Sequence, residues 1–148
     1  MTKKIYVLLF LILPLSSIAQ SKSAKGVLFD SIVEKDCNGM AFVRVEVPPS
    51  FKNGKISLED SISSYLKSRG SLKNNTKGSF KLFVTKQSTI INVIKIYSNF
   101  PNDSILEDAF KLFSYMWLPA TQNGFPVCAY VSVEIELSDD KLKFNSVY

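Results

Sequence analysis

Residues 127–137 read Val-Cys-Ala-Tyr-Val-Ser-Val-Glu-Ile-Glu-Leu, and this stretch decides the fold class. Val127, Ala129, Val131, Val133, Ile135 and Leu137 alternate without a fault against Cys128, Tyr130, Ser132, Glu134 and Glu136. That is the period of a strand with one buried face and one wet face. Downstream, Asp139-Asp140 reads as a solvated charge pair, with no third carboxylate nearby to complete a calcium loop. Upstream, Gln122-Asn123-Gly124 reads as a turn, and Asn-Gly suits positive φ.

Further upstream the period changes to that of a helix. Ser104 with Glu107 makes a capping box, and Leu106, Ala109, Phe110, Phe113, Met116 and Trp117 share one helical face, which Pro119 ends. Trp117 is expected in the core, pinning that helix to the sheet while its indole N–H reaches a carbonyl. Phe80, Leu82 and Val84 alternate with Lys81, Phe83 and Thr85. After a polar turn over Lys86–Thr89, the β-branched run Ile90–Tyr97 reads as the hairpin partner, apolar and covered on both faces. An earlier helix is expected to open at Ser57, with Asp60 three residues on, and to close at Gly70. Its face carries Leu58, Ile62, Tyr65 and Leu66. Ala41, Val43, Val45 and Val47 suggest a half-buried strand that Pro48-Pro49 stops. The expected fold is α+β, a β-β-α-β core preceded by an extra strand and helix.

The N-terminus reads as an address. Lys3 and Lys4 precede the apolar run Ile5–Leu15, and Ser16-Ser17-Ile18-Ala19 supplies the small residues a signal peptidase reads. Residues 1–19 are therefore expected to be a cleaved signal peptide, 20–39 an N-terminal arm and 40–148 the domain. The run falls short of the roughly 20 apolar residues that span a bilayer, which favours cleavage; an uncleaved inner-membrane anchor is the alternative. The expected setting is the periplasm, with membrane association only if the leader is retained.

Composition narrows the function. The chain of 148 residues contains no histidine and two cysteines, which excludes Ser-His-Asp and Cys-His nucleophile pairs, His-ligated zinc and four-thiolate sites. No cofactor loop is legible, so the reading is non-enzymatic, without cofactor or metal. The formal charge of +5 includes the two leader lysines, and the rest scatter over loops and strand faces. A nucleic-acid partner is not expected. Cys37 and Cys128 sit in an exported chain where oxidation is open to them. Whether their Cα atoms come within reach is not legible.

Trp117-Leu118-Pro119-Ala120-Thr121-Gln122-Asn123-Gly124-Phe125-Pro126-Val127 resembles the W-x-P…N-G-x-P-V signature of TonB C-terminal domains. Val45-Glu46-Val47-Pro48-Pro49-Ser50-Phe51-Lys52-Asn53-Gly54 resembles the V-E-x-x-P-x-F-x-G-G lead-in of one subgroup, and Gly78–Ser98 its first hairpin. The resemblance covers about residues 45 to 137. It departs at the Lys86–Thr89 turn, where the family has Asp-Gly or Asn-Gly, and at Leu72–Thr76, where a tyrosine-proline pair is usual. The histidine-bearing membrane helix and proline-rich rod of full transducers are not matched.

The resemblance implies a module that binds an N-terminal peptide segment of an outer-membrane receptor by strand addition, in TonB-dependent transport. The strand 127–137 is expected to be the docking edge, with Tyr130, Ser132, Glu134 and Glu136 beside the incoming peptide. Trp117, Pro119, Asn123, Gly124, Pro126 and Val127 form the structural motif. The alternatives are a membrane-anchored energy transducer and a homodimer using the same edge.

Overall fold

The computed structural model describes residues 33, 35–71 and 73–147. The expected signal peptide and most of the arm lie outside the described residues. Among the described residues no helix is long and apolar enough to cross a membrane.

The chain is α+β. A four-stranded antiparallel sheet, in the order β3-β2-β7-β8, is built from β2 (Thr76–Val84), β3 (Ile90–Ser98), β7 (Ala129–Ser138) and β8 (Lys141–Val147). Helices α1 (Lys55–Ser68) and α2 (Asp103–Leu112) pack on one face of it. Two small pairs complete the fold: β1 (Ser50–Phe51) with β4 (Trp117–Leu118), and β5 (Ala120–Gln122) with β6 (Phe125–Val127).

The alternation of β2 and β7 determines where the core lies. They pair without a slip from Thr76↔Leu137 to Val84↔Ala129, so Phe80, Leu82 and Val84 share a face with Val131, Val133, Ile135 and Leu137. That face meets Leu58, Ile62 and Leu66 of α1 and Leu106, Ala109 and Phe110 of α2 in one cluster. Phe51, Trp117 and Phe144 close the cluster at one end, with the Phe51 and Trp117 rings 4.7 Å apart edge to face. Edge-to-face pairs of this kind add to the stabilisation from burial alone.

The helix ends differ from expectation. α1 begins at Lys55, after Gly54 at φ +82°, and Ser57 lies inside the first turn, where its carbonyl accepts from Ser61 Oγ (2.8 Å). Its C-terminus follows the reading. Gly70 at φ +63° lets Gly70 N–H reach the Lys67 carbonyl and Ser71 N–H the Leu66 carbonyl, which satisfies orphan carbonyls. For α2 the cap is Asn102, whose side chain accepts from Ser104 N–H (3.2 Å), rather than Ser104 itself. α2 also stops at Leu112, before a 3-10 turn over Ser114–Met116. Trp117 leaves the helix for β4, where it pairs with Phe51.

The strands differ from expectation in two places. Residues 40–47 form no strand, and their backbone pairs with the β structure through the isolated bridges Phe42↔Ala129 and Val47↔Thr121. Val43 is 74% exposed, because the alternation there finds no sheet to lie on. The chain also continues past Leu137. Asp139 (φ +52°) and Asp140 (φ +59°) are the two-residue turn of a hairpin, and β8 returns along β7. Asn74 steadies that turn, accepting from Asp140 N–H (2.9 Å) and donating to its carboxylate (3.1 Å).

Candidate peptide-binding edge

β8 overturns the expected docking edge. β7 is central, hydrogen-bonded to β2 on one side and to β8 on the other, with Phe42 bridging its first residue. β8 takes its outer flank from Val133 to Ser138 and Phe42 takes it at Ala129, so 127–137 is not a free edge for strand addition. Tyr130, Ser132, Glu134 and Glu136 do share one face, the one turned away from the helices. Tyr130 packs edge-on against buried Phe83 (4.9 Å) and lies under Lys81 Nζ, 4.8 Å from the ring centre. Glu136 accepts from Asn145 (3.2 Å) and pairs with Lys77 (3.2 Å), and these two bonds hold its carboxyl below the usual carboxylate range.

The tryptophan-to-valine motif maps onto β4, β5 and β6. Trp117 is fully buried as expected, but its Nε1 has no acceptor among the described residues, so the expected carbonyl contact is not seen. Pro119 separates β4 from β5, and Pro126 and Val127 lie in β6. Asn123 (φ +51°) and Gly124 (φ +76°) form the tight turn, as the dipeptide implies. Cys37 and Cys128 are bonded, with Cα atoms 5.7 Å apart across a sequence separation of 91. The bridge and Phe83 form a second small core on the outer face.

With β7 central, the sheet has two edges, and they differ. The β8 edge is sealed by α1. Phe144 N–H donates to Glu59 Oε1 (2.6 Å), Leu142 N–H to Ser63 Oγ (2.8 Å), and Lys55 Nζ to the Phe144 carbonyl (3.0 Å). A helix lends its side chains to backbone groups that a ninth strand would otherwise claim. Glu59 is only 9% exposed, a burial that this bond compensates.

The β3 edge is open. Among the described residues β2 is its only strand partner. The Lys77 carbonyl accepts from Asn99 N–H (3.1 Å), so Ser79, Lys81 and Phe83 aim their backbone groups at β3. Their partners Tyr97, Ile94 and Asn92 aim back, which leaves the N–H and C=O groups of Val93 and Lys95 pointing away from the sheet. Beside them Ile94, Ile96 and Tyr97 are 42%, 58% and 51% exposed, against the expectation that this strand is covered on both faces. Bulges place Ile91 and Ile96 as extra residues on β3, which confines regular pairing to the run between them. Lys95 reaches the helix side and bonds Asp103 (2.7 Å) at the start of α2. Burial raises the Asp103 carboxyl, but the bonds from Lys95 and Ser98 outweigh it and the net shift is downward. The same bond raises Lys95. The pair anchors the strand from within, while no described strand takes its outer flank.

Comparison with protein-family models, with curated proteins and with solved structures found no match.

Proposed function

We propose that this chain is an exported, non-catalytic binding module resembling TonB C-terminal domains, which captures an extended peptide by adding it as a strand to β3. The open β3 edge, opposite a β8 edge sealed by Lys55, Glu59 and Ser63, is the observation that carries the reading. Outward backbone groups on Val93 and Lys95 supply affinity, and Ile94, Ile96 and Tyr97 supply apolar contacts for alternate side chains. The order β2-β3-α2-β7 and the β4–β6 motif support the family likeness, and a receptor's N-terminal segment in TonB-dependent uptake is the partner it implies. The bulges on β3 act as guards against indiscriminate pairing and leave a short stretch for a selected partner.

Titrating labelled protein with such a receptor peptide should give saturable amide shifts concentrated in Asn92–Ser98. Ile96→Lys, at an exposed bulge, should weaken binding at least tenfold with the fold retained. Shifts confined to β7 or α2 would refute strand addition at β3. Silence toward receptor peptides, with concentration-dependent dimers that Ile96→Lys disperses, would favour pairing of β3 with a second copy.

A further inference from the structure

Away from β3, the segment from Phe42 to Val47 is a strap tied at both ends. At one end Phe42 N–H donates to the Cys128 carbonyl (2.9 Å) and Tyr130 N–H to the Phe42 carbonyl (3.2 Å). At the other, Val47 and Thr121 exchange both backbone bonds, 3.2 and 2.9 Å. Between the ties the chain stands off the sheet, and a cleft of about 480 Å³ opens beneath it. Val43, Arg44, Val45 and Pro48 form its roof and wall, and Lys81, Tyr130 and Ser132 its floor. That volume falls within the range of small-molecule sites, roughly 300–1,000 Å³.

The chemistry of the lining is one-sided. Arg44 and Lys81 bring two cations, and among the described residues no carboxylate lines the cleft. The strap's one acidic residue, Glu46, is turned into the β5–β6 hairpin, where its carboxylate accepts from Asn123 N–H (2.8 Å) and Gln122 Nε2 (3.4 Å). Among the described residues neither Arg44 nor Lys81 has an ion-pair partner. The Tyr130 and Ser132 hydroxyls add donors on the floor, and Val43, Val45 and Pro48 give an apolar wall. Cations gathered in a concave site raise the local concentration of anions.

We infer that the strap cleft binds a small organic carboxylate with an apolar body, its charge between Arg44 and Lys81 and its tail against Val43, Val45 and Pro48. This site is separate from the β3 edge, and either can exist without the other.

Octanoate, which joins one carboxylate to an unbranched tail, is the probe, titrated into the oxidised full chain and followed by amide shifts. Saturable shifts are expected at Val43–Val45, Lys81, Tyr130 and Ser132, with β3 silent. Octanamide should bind at least tenfold more weakly, and inorganic phosphate should give no saturable shift there. Arg44→Gln changes an exposed side chain, and it should weaken octanoate at least fivefold; Lys81→Gln should do the same, while Lys81→Arg should retain binding. Equal binding of octanamide would remove the carboxylate from the proposal, and equal binding of phosphate would remove the apolar body. Wild-type affinity in both glutamine variants, or no saturable shift with octanoate, would overturn it.

Discussion

Removing the seal on β8 tests whether α1 side chains, rather than packing alone, close that edge. Glu59→Leu keeps the bulk at position 59 but deletes the acceptor of Phe144 N–H, and Ser63→Ala deletes the acceptor of Leu142 N–H. Both bonds are buried, so each orphaned donor forfeits its hydration without compensation, at about 1–3 kcal/mol. The lost Lys55–Glu59 pair adds little, because Lys55 is half exposed and the ions are 3.9 Å apart. The two donors are separate, so the double variant should lose about 2–6 kcal/mol. Urea denaturation should show a lower midpoint at unchanged slope, and hydrogen exchange should speed up at the Phe144 and Leu142 amides. A double variant within about 0.5 kcal/mol of wild type, with Phe144 still protected, would refute the reasoning. It would mean that burial of Leu142 and Phe144 suffices to hold the strand.

Two other perturbations follow from the same structure. Trp117→Ala should cost about 3–5 kcal/mol in chemical denaturation, because the ring is fully buried against Phe51 and Phe144; a loss typical of a surface substitution would contradict its place in the core. Stability should fall in acid, since the Asp103 and Glu136 carboxyls are both held down in the folded state. Their contribution is complete above their unfolded values, about 3.9 and 4.3, and disappears as the pH drops through the lower folded ones. Lys95, raised by Asp103, acts at the other extreme: its share is present below about pH 10.4 and is lost as the pH climbs through its folded value. With no histidine in the chain, the denaturation midpoint should be flat between about pH 6 and 9. A midpoint that rises on going from pH 5 to pH 3 would contradict the carboxylate assignments.

Local patterns were legible where one physical cause dominated. The alternation of β7, the buried faces of α1 and α2, the Gly70 stop and the Asn123-Gly124 turn all appear where the residues place them. The docking edge was not, because it depends on a strand whose entry turn is Asp-Asp rather than Asn-Gly. Leu142, Phe144 and their lysine neighbours do alternate, but only Asn74 across the turn explains how two aspartates hold positive φ there. Met116 and Trp117 kept the helical spacing of Phe110 and Phe113, yet pairing with Phe51 won over continuing the helix. On β3 the bulges displace Ile91 and Ile96 from the pairing period, so no count of apolar residues shows which face each takes. The strap misled for a plainer reason: alternation shows only that a segment suits a sheet, and the partner lies elsewhere in the chain.

The Cys37–Cys128 bridge has a mechanical consequence. A pull on the chain ahead of Cys37 does not run through the strap, α1 or the β2–β3 hairpin. It enters through sulfur at Cys128, one residue before the strand with neighbours on both sides. The intervening chain, a contour of roughly 300 Å when extended, is hidden from the load while the bridge is intact. Tension is thus delivered to the centre of the sheet, where ladders on both flanks of β7 resist it in shear. Reduction would redirect the same pull to the two weak ties of the strap, which can give way one bond at a time.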